Sequence, residues 1–119
     1  MKNLFSLLFL LLLFSCGNDG PENSALLGKW KGITWKVDGK DSGRNAGKVV
    51  FEFLPSGTYS ASFGSQTEKG NFKTKGNKLY TTAEGKVEKM VKVILSSPDT
   101  LLMDMNRVGT PEVLTLVRE

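Results

Sequence analysis

Two hydrophobic rhythms divide the chain. From Leu4 to Phe14 every residue except Ser6 is apolar, whereas from Leu27 onward apolar and polar residues mostly alternate. A period of two is that of a β-strand with one dry and one wet face. It is clearest at 58–63, where Tyr59, Ala61 and Phe63 share one face and Thr58, Ser60 and Ser62 the other. Val49, Phe51 and Phe53 repeat the pattern just upstream. Turn-forming clusters such as Pro55-Ser56-Gly57, Gly64-Ser65, Gly76-Asn77, Glu84-Gly85, Ser97-Pro98-Asp99 and Gly109-Thr110-Pro111 punctuate the alternation. Between them the pattern predicts eight strands, at 28–37, 48–54, 58–63, 67–74, 78–83, 86–95, 100–106 and 112–118.

The segment 86–95 is ambiguous, because Val87, Met90, Val91, Ile94 and Leu95 sit at helical spacing with Lys86, Lys89 and Lys92 opposite. Its β-branched end, its short length and its β neighbours favour a strand. The longest connection, 38–47, carries Gly39, Gly43 and Gly47 among Asp38, Asp41, Arg44 and Asn45, and reads as a mobile loop after the first strand. Eight short antiparallel strands with hairpin-length joints either stack as two sheets or close on themselves, and closure removes the exposed edges. The up-and-down order favours a small all-β barrel.

The first rhythm is of another kind. Lys2 followed by an eleven-residue apolar run has the profile of a cleaved signal peptide, and the run is shorter than the ~20 residues that span a bilayer. Leu13-Phe14-Ser15-Cys16 resembles the bacterial lipoprotein processing box, with Phe14 larger than is usual at its position. The resemblance implies removal of residues 1–15 and a lipid on Cys16, whose thiolate is the nucleophile that a thioether requires. The competing reading is an ordinary secreted protein with a spare thiol, but a lone cysteine in an oxidising compartment calls for a partner or a modification. Residues 16–26 are then the lipidated cysteine and a flexible tether, since 17–24 holds no apolar side chain but Pro21, and 27–119 is the barrel domain. Removing Lys2 with the signal leaves 15 basic against 12 acidic residues, a charge suited to solubility and too small to argue for nucleic acid.

Leu27-Gly28-Lys29-Trp30 resembles the Gly-x-Trp opening of lipocalins, and the later run is similar to bacterial lipocalin-like lipoproteins. The matching positions are Phe51-Glu52-Phe53, Gly57-Thr58-Tyr59, Gly70-Asn71-Phe72, Gly76-Asn77-Lys78-Leu79, Asp99-Thr100-Leu101 and Leu114-Thr115-Leu116-Val117-Arg118. Each is short; their order and spacing carry the likeness. It implies an eight-stranded antiparallel calycin-type barrel with one open end. It also implies a floor closed by Trp30 with Arg118 lying across it, an arrangement that a cation over an indole would stabilise by ~0.5–2 kcal/mol. The alternative for Arg118 is a solvated penultimate side chain.

The chain has no histidine, and its single cysteine is committed to the lipid, so Cys/His metal sites and Ser/His or Cys/His nucleophiles are unavailable. Glu52, Glu68, Glu84, Glu88 and Asp104 show no glycosidase-like pairing, and no glycine run has a phosphate-binding pattern. No catalytic residue, metal or cofactor is therefore expected. Lys29, Trp30, Lys31, Trp35 and Lys36 interleave as in single-strand nucleic-acid sheets, but export excludes that partner and leaves them a snorkelling outer face. Function falls to the interior, where alternation nominates Trp30, Phe51, Phe53, Tyr59, Phe63, Phe72, Leu79, Ile94, Met103, Leu114 and Leu116 as core or pocket lining. The many bulky aromatics lean towards a filled interior. Two functions stay open. One is a noncatalytic, membrane-anchored envelope lipoprotein, with the outer membrane as its expected place, whose barrel binds a small apolar molecule. The other is a packed barrel serving as an interaction or inhibitor module for an envelope protein.

Overall fold

The computed structural model describes residues 23–106 and 109–119, so the segment read as a signal peptide and Cys16 lie outside the described residues. Among the described residues nine strands form one antiparallel sheet: β1 (Gly28–Val37), β2 (Lys40–Asp41), β3 (Val49–Phe53), β4 (Thr58–Phe63), β5 (Gln66–Lys75), β6 (Lys78–Ala83), β7 (Lys89–Ser97), β8 (Thr100–Asp104) and β9 (Glu112–Arg118). β2 is a two-residue addition to the end of β1. The other eight run up and down in sequence order, and β1 pairs with β9 to close the barrel. The pairing of Trp30 with Arg118 and of Val37 with Glu112 joins first and last strand over nearly their whole length.

β1 carries a bulge. Gly28–Lys31 pair with β3 and Trp30–Val37 with β9, and the register with β9 shifts between Gly32 and Thr34. This bulge turns Ile33 outward, 53 % exposed, and resets the alternation so that Trp30 and Gly32 face inward before it and Trp35 and Val37 after it. A 3-10 turn at Ala46–Lys48 packs on the bulge, and a Cβ at Gly32 would overlap the Ala46 carbonyl oxygen.

The segment 86–95 contributes a strand, shifted to Lys89–Ser97. The shift corrects one nominated lining residue. Val93 is fully buried opposite Met103, which places Lys92 and Ile94 on the outer face, and Ile94 is 54 % exposed. Lys92 cannot face an apolar core, so its parity governs Ile94 as well.

The segment read as tether ends in structure. Asn23–Leu26 forms a short helical turn, α1, that lies across one end of the barrel with Leu26 fully buried. Trp30 Nε1 donates to the Leu26 carbonyl at 2.8 Å, and the Asn23 side chain accepts from the Thr74 amide at 2.7 Å on the far wall. The loop at 38–47 is pinned rather than free. Asp38 N donates to Pro111 O at 2.7 Å and Ser42 N to Trp35 O at 2.9 Å.

Candidate functional site

The two ends of the barrel differ. At the floor, below α1, Trp30, Phe53, Leu101, Leu114 and Leu116 are buried to within about a hundredth of their surface. Phe53 packs edge-on against Phe72 with centroids 4.8 Å apart and beside Tyr59 at 6.4 Å. The Arg118 guanidinium lies 4.2 Å from the Trp30 ring centre and donates to Leu27 O at 2.6 Å and to Ala25 O at 2.9 Å. Gly28 makes room for it, because a Cβ there would stand 3.0 Å from an Arg118 guanidinium nitrogen.

At the other end, where the connections after β1, β4, β6 and β8 gather, the interior opens into a cavity of about 400 Å³. Trp35, Phe51, Phe63, Leu79, Val91 and Met103 supply most of its apolar wall, with Met90 and Met105 at the rim. All three methionines beyond Met1 thus border one space. Their flexible thioethers make a wall that adapts to ligand shape. The expectation of a filled interior holds for the floor and fails at the mouth. The aromatic rings stack along β3 and β4, with Phe51 5.8 Å from both Phe53 and Phe63, and leave the β7–β8 side open. A larger groove of about 550 Å³ on the outer face of β4–β6 is walled by polar side chains including Glu52, Ser60, Lys69 and Asn71. Of the two, the interior cavity has the character of a small-molecule site, an apolar wall with a few placed polar groups.

Of the nominated lining residues, Phe51, Phe63, Leu79 and Met103 border the cavity. Trp30, Phe53, Tyr59, Phe72, Leu114 and Leu116 are buried around and beneath it, and Ile94 is outside. Phe63, 37 % exposed, stands at the rim.

Sequence reasoning missed the polar members. Glu68, Thr81, Lys89 and Asn106 also line the cavity. Tyr59 OH donates to Glu68 Oε2 at 2.6 Å. Burial first, then the hydrogen bond and charge of Glu68, push the Tyr59 phenol far above its ordinary range, so it stays protonated as the donor. On the opposite wall Glu112, 5 % exposed, accepts from Trp35 Nε1 at 2.6 Å and pairs with Arg44 at 3.4 Å. Arg44 itself lies 4.9 Å from the Trp35 ring centre, so a loop side chain holds a cavity wall in place. Parity is the signal that would have found them: Glu68 alternates with Phe72, Glu112 with Leu114 and Leu116, and Lys89 with Val91 and Val93. Trp35 has no such signal, since the bulge changes its phase.

Among the described residues no cluster of His, Cys, Asp and Glu could hold a metal ion, and no helix is long and apolar enough to cross a membrane. A closed antiparallel barrel, sealed at one end and hollow at the other, has the shape of a calyx. The chain belongs to the lipocalin-like domain family, which matches residues 26–103. Among solved structures it is similar to a lipocalin-like protein from Bacteroides uniformis, with a TM-score of 0.59 and 20 % identity over 80 % of this chain and 99 % of that one. An uncharacterized protein from Bacteroides eggerthii shares the fold at a TM-score of 0.55 and 14 % identity, over 76 % of this chain and 98 % of that one. Comparison with curated proteins gives no significant match.

Proposed function

We propose that this protein is a noncatalytic carrier or receptor of the bacterial envelope. Its barrel takes up one small apolar molecule through the open end, and a lipid on Cys16 holds it at a membrane, the outer membrane being its expected place. The observation that carries the binding role is the cavity, whose volume of about 400 Å³ falls within the ~300–1,000 Å³ usual for ligand pockets. A packed interaction scaffold, the alternative, has no use for that space. The anchor rests on the signal profile and the processing box around Cys16.

The test is displacement of an environment-sensitive apolar dye by envelope lipid extract, compared between wild type and Val91→Trp. Val91 is half-buried in the cavity wall, so the indole fills the space without adding charge. Wild type is expected to bind with micromolar affinity and the variant at least tenfold more weakly, with an unchanged melting temperature. A wild-type barrel that takes up neither dye nor lipid would reject the carrier role and return the packed-scaffold reading, to be pursued by crosslinking in membranes.

A further inference from the structure

The cavity wall contains a hydrogen bond with a direction. Tyr59 OH on β4 donates to Glu68 Oε2 on β5 at 2.6 Å, and Thr81 on β6 lines the same cavity. The phenol is held protonated by burial and by the carboxylate beside it, so its role as donor is fixed. Its acceptor is a carboxylate, which offers acceptors only.

Glu68 is half-buried on the inner face, directly opposite Ala61, whose methyl group leaves space in front of it. Among the described residues it receives this one hydrogen bond and forms no ion pair. Lys89 lines the same cavity from the start of β7, but it is exposed and makes no contact with Glu68 within 4.0 Å, the ion-pair limit. The two groups therefore weigh differently. An apolar ligand sliding over Lys89 leaves its ammonium in water, whereas one covering Glu68 strips solvent from acceptor sites that no other described residue satisfies.

We infer that the cavity selects an apolar molecule bearing a hydrogen-bond-donating head, an amine or a hydroxyl, received by Glu68. A carboxylate-headed chain meets a like charge at that position. This selectivity rests on the carrier reading above.

Native mass spectrometry of the full-length protein released from detergent micelles, after exposure to an equimolar mixture of decylamine, decanol and decanoic acid, tests it. Wild type is expected to retain the amine and the alcohol at least tenfold over the acid. Glu68→Gln keeps the shape and an acceptor for Tyr59; it should lower amine retention about tenfold and raise that of the acid. Preferential retention of decanoic acid by wild type, or a ranking that Glu68→Gln leaves unchanged, would overturn the donor-head assignment while leaving a carrier. Retention of none of the three would overturn both. The wild-type ranking needs no variant, so the inference stays open to refutation even if Glu68→Gln folds poorly.

Discussion

Arg118 is the penultimate residue, a position where side chains are ordinarily solvated, yet it bonds to two main-chain carbonyls of the segment that enters the barrel and covers Trp30. Its side chain remains 32 % exposed, which places each contribution toward the low end of its range. A cation over an indole is worth ~0.5–2 kcal/mol and a charged hydrogen bond ~1.5–3 kcal/mol, so Arg118→Ala should cost about 2 kcal/mol. At ~4–8 °C per kcal/mol for a domain of this size, its melting temperature should fall by about 10 °C. Arg118→Lys should recover less than half of the loss, because an ammonium cannot reach two carbonyls in one plane while stacking on the ring. Circular dichroism melts of the three proteins check this, and an unchanged melting temperature in Arg118→Ala would reduce the clasp to a surface contact. At this scale the sequence was uneven as a guide. Trp30 announces itself as core, but Arg118 acquires a role only through likeness to other barrels. Glu68 and Glu112 look like solvated face residues until their parity with buried neighbours is read.

Strand positions were more legible than single roles, because a strand is fixed by many residues at once. The spans at 28–37, 58–63, 78–83 and 112–118 coincide with those expected, each bounded by a turn or a clear change of pattern. Two elements departed for physical reasons. In β7 both faces are apolar, so alternation alone could not choose between Val93 and Ile94, and only Lys92 settles which face meets water. In β1 a single inserted residue reverses the phase, which hid Trp35 from a strict period of two. Gly32 is the hinge of that element. A methyl group there meets the Ala46 backbone oxygen, which unlike a side-chain tip has no rotamer to escape into. Overpacking of this kind costs ~1–3 kcal/mol. Gly32→Ala should therefore lower the urea midpoint and speed amide hydrogen exchange at 46–49, while Lys31→Ala on the outer face should do neither. Equal exchange at 46–49 in Gly32→Ala and wild type would mean that the 3-10 turn does not depend on the bulge.

At the scale of the molecule, closure could be foreseen, since eight strands in hairpin order have one economical way to hide their edges. The cavity could not, because the number of aromatic side chains says nothing of which wall they occupy. Phe51, Phe53, Phe63 and Phe72 gather on β3–β5, and the opposite wall is left to methionines. The same architecture separates anchoring from folding. The chain enters the barrel at its sealed floor, where Asn23–Leu26 completes the core, and the cavity opens at the far end. Seven residue steps from Cys16 to Asn23 extend at most ~25 Å, so a lipid on Cys16 would keep the floor beside the bilayer and leave the mouth free to exchange its ligand. It follows that Cys16→Ser should abolish metabolic palmitate labelling and alter the membrane association of the protein. It should not alter the thermal stability of the barrel, whose described contacts begin only at Asn23. Labelling that persists in Cys16→Ser would remove the lipid from Cys16, and a barrel that loses stability with it would show that anchor and fold are coupled.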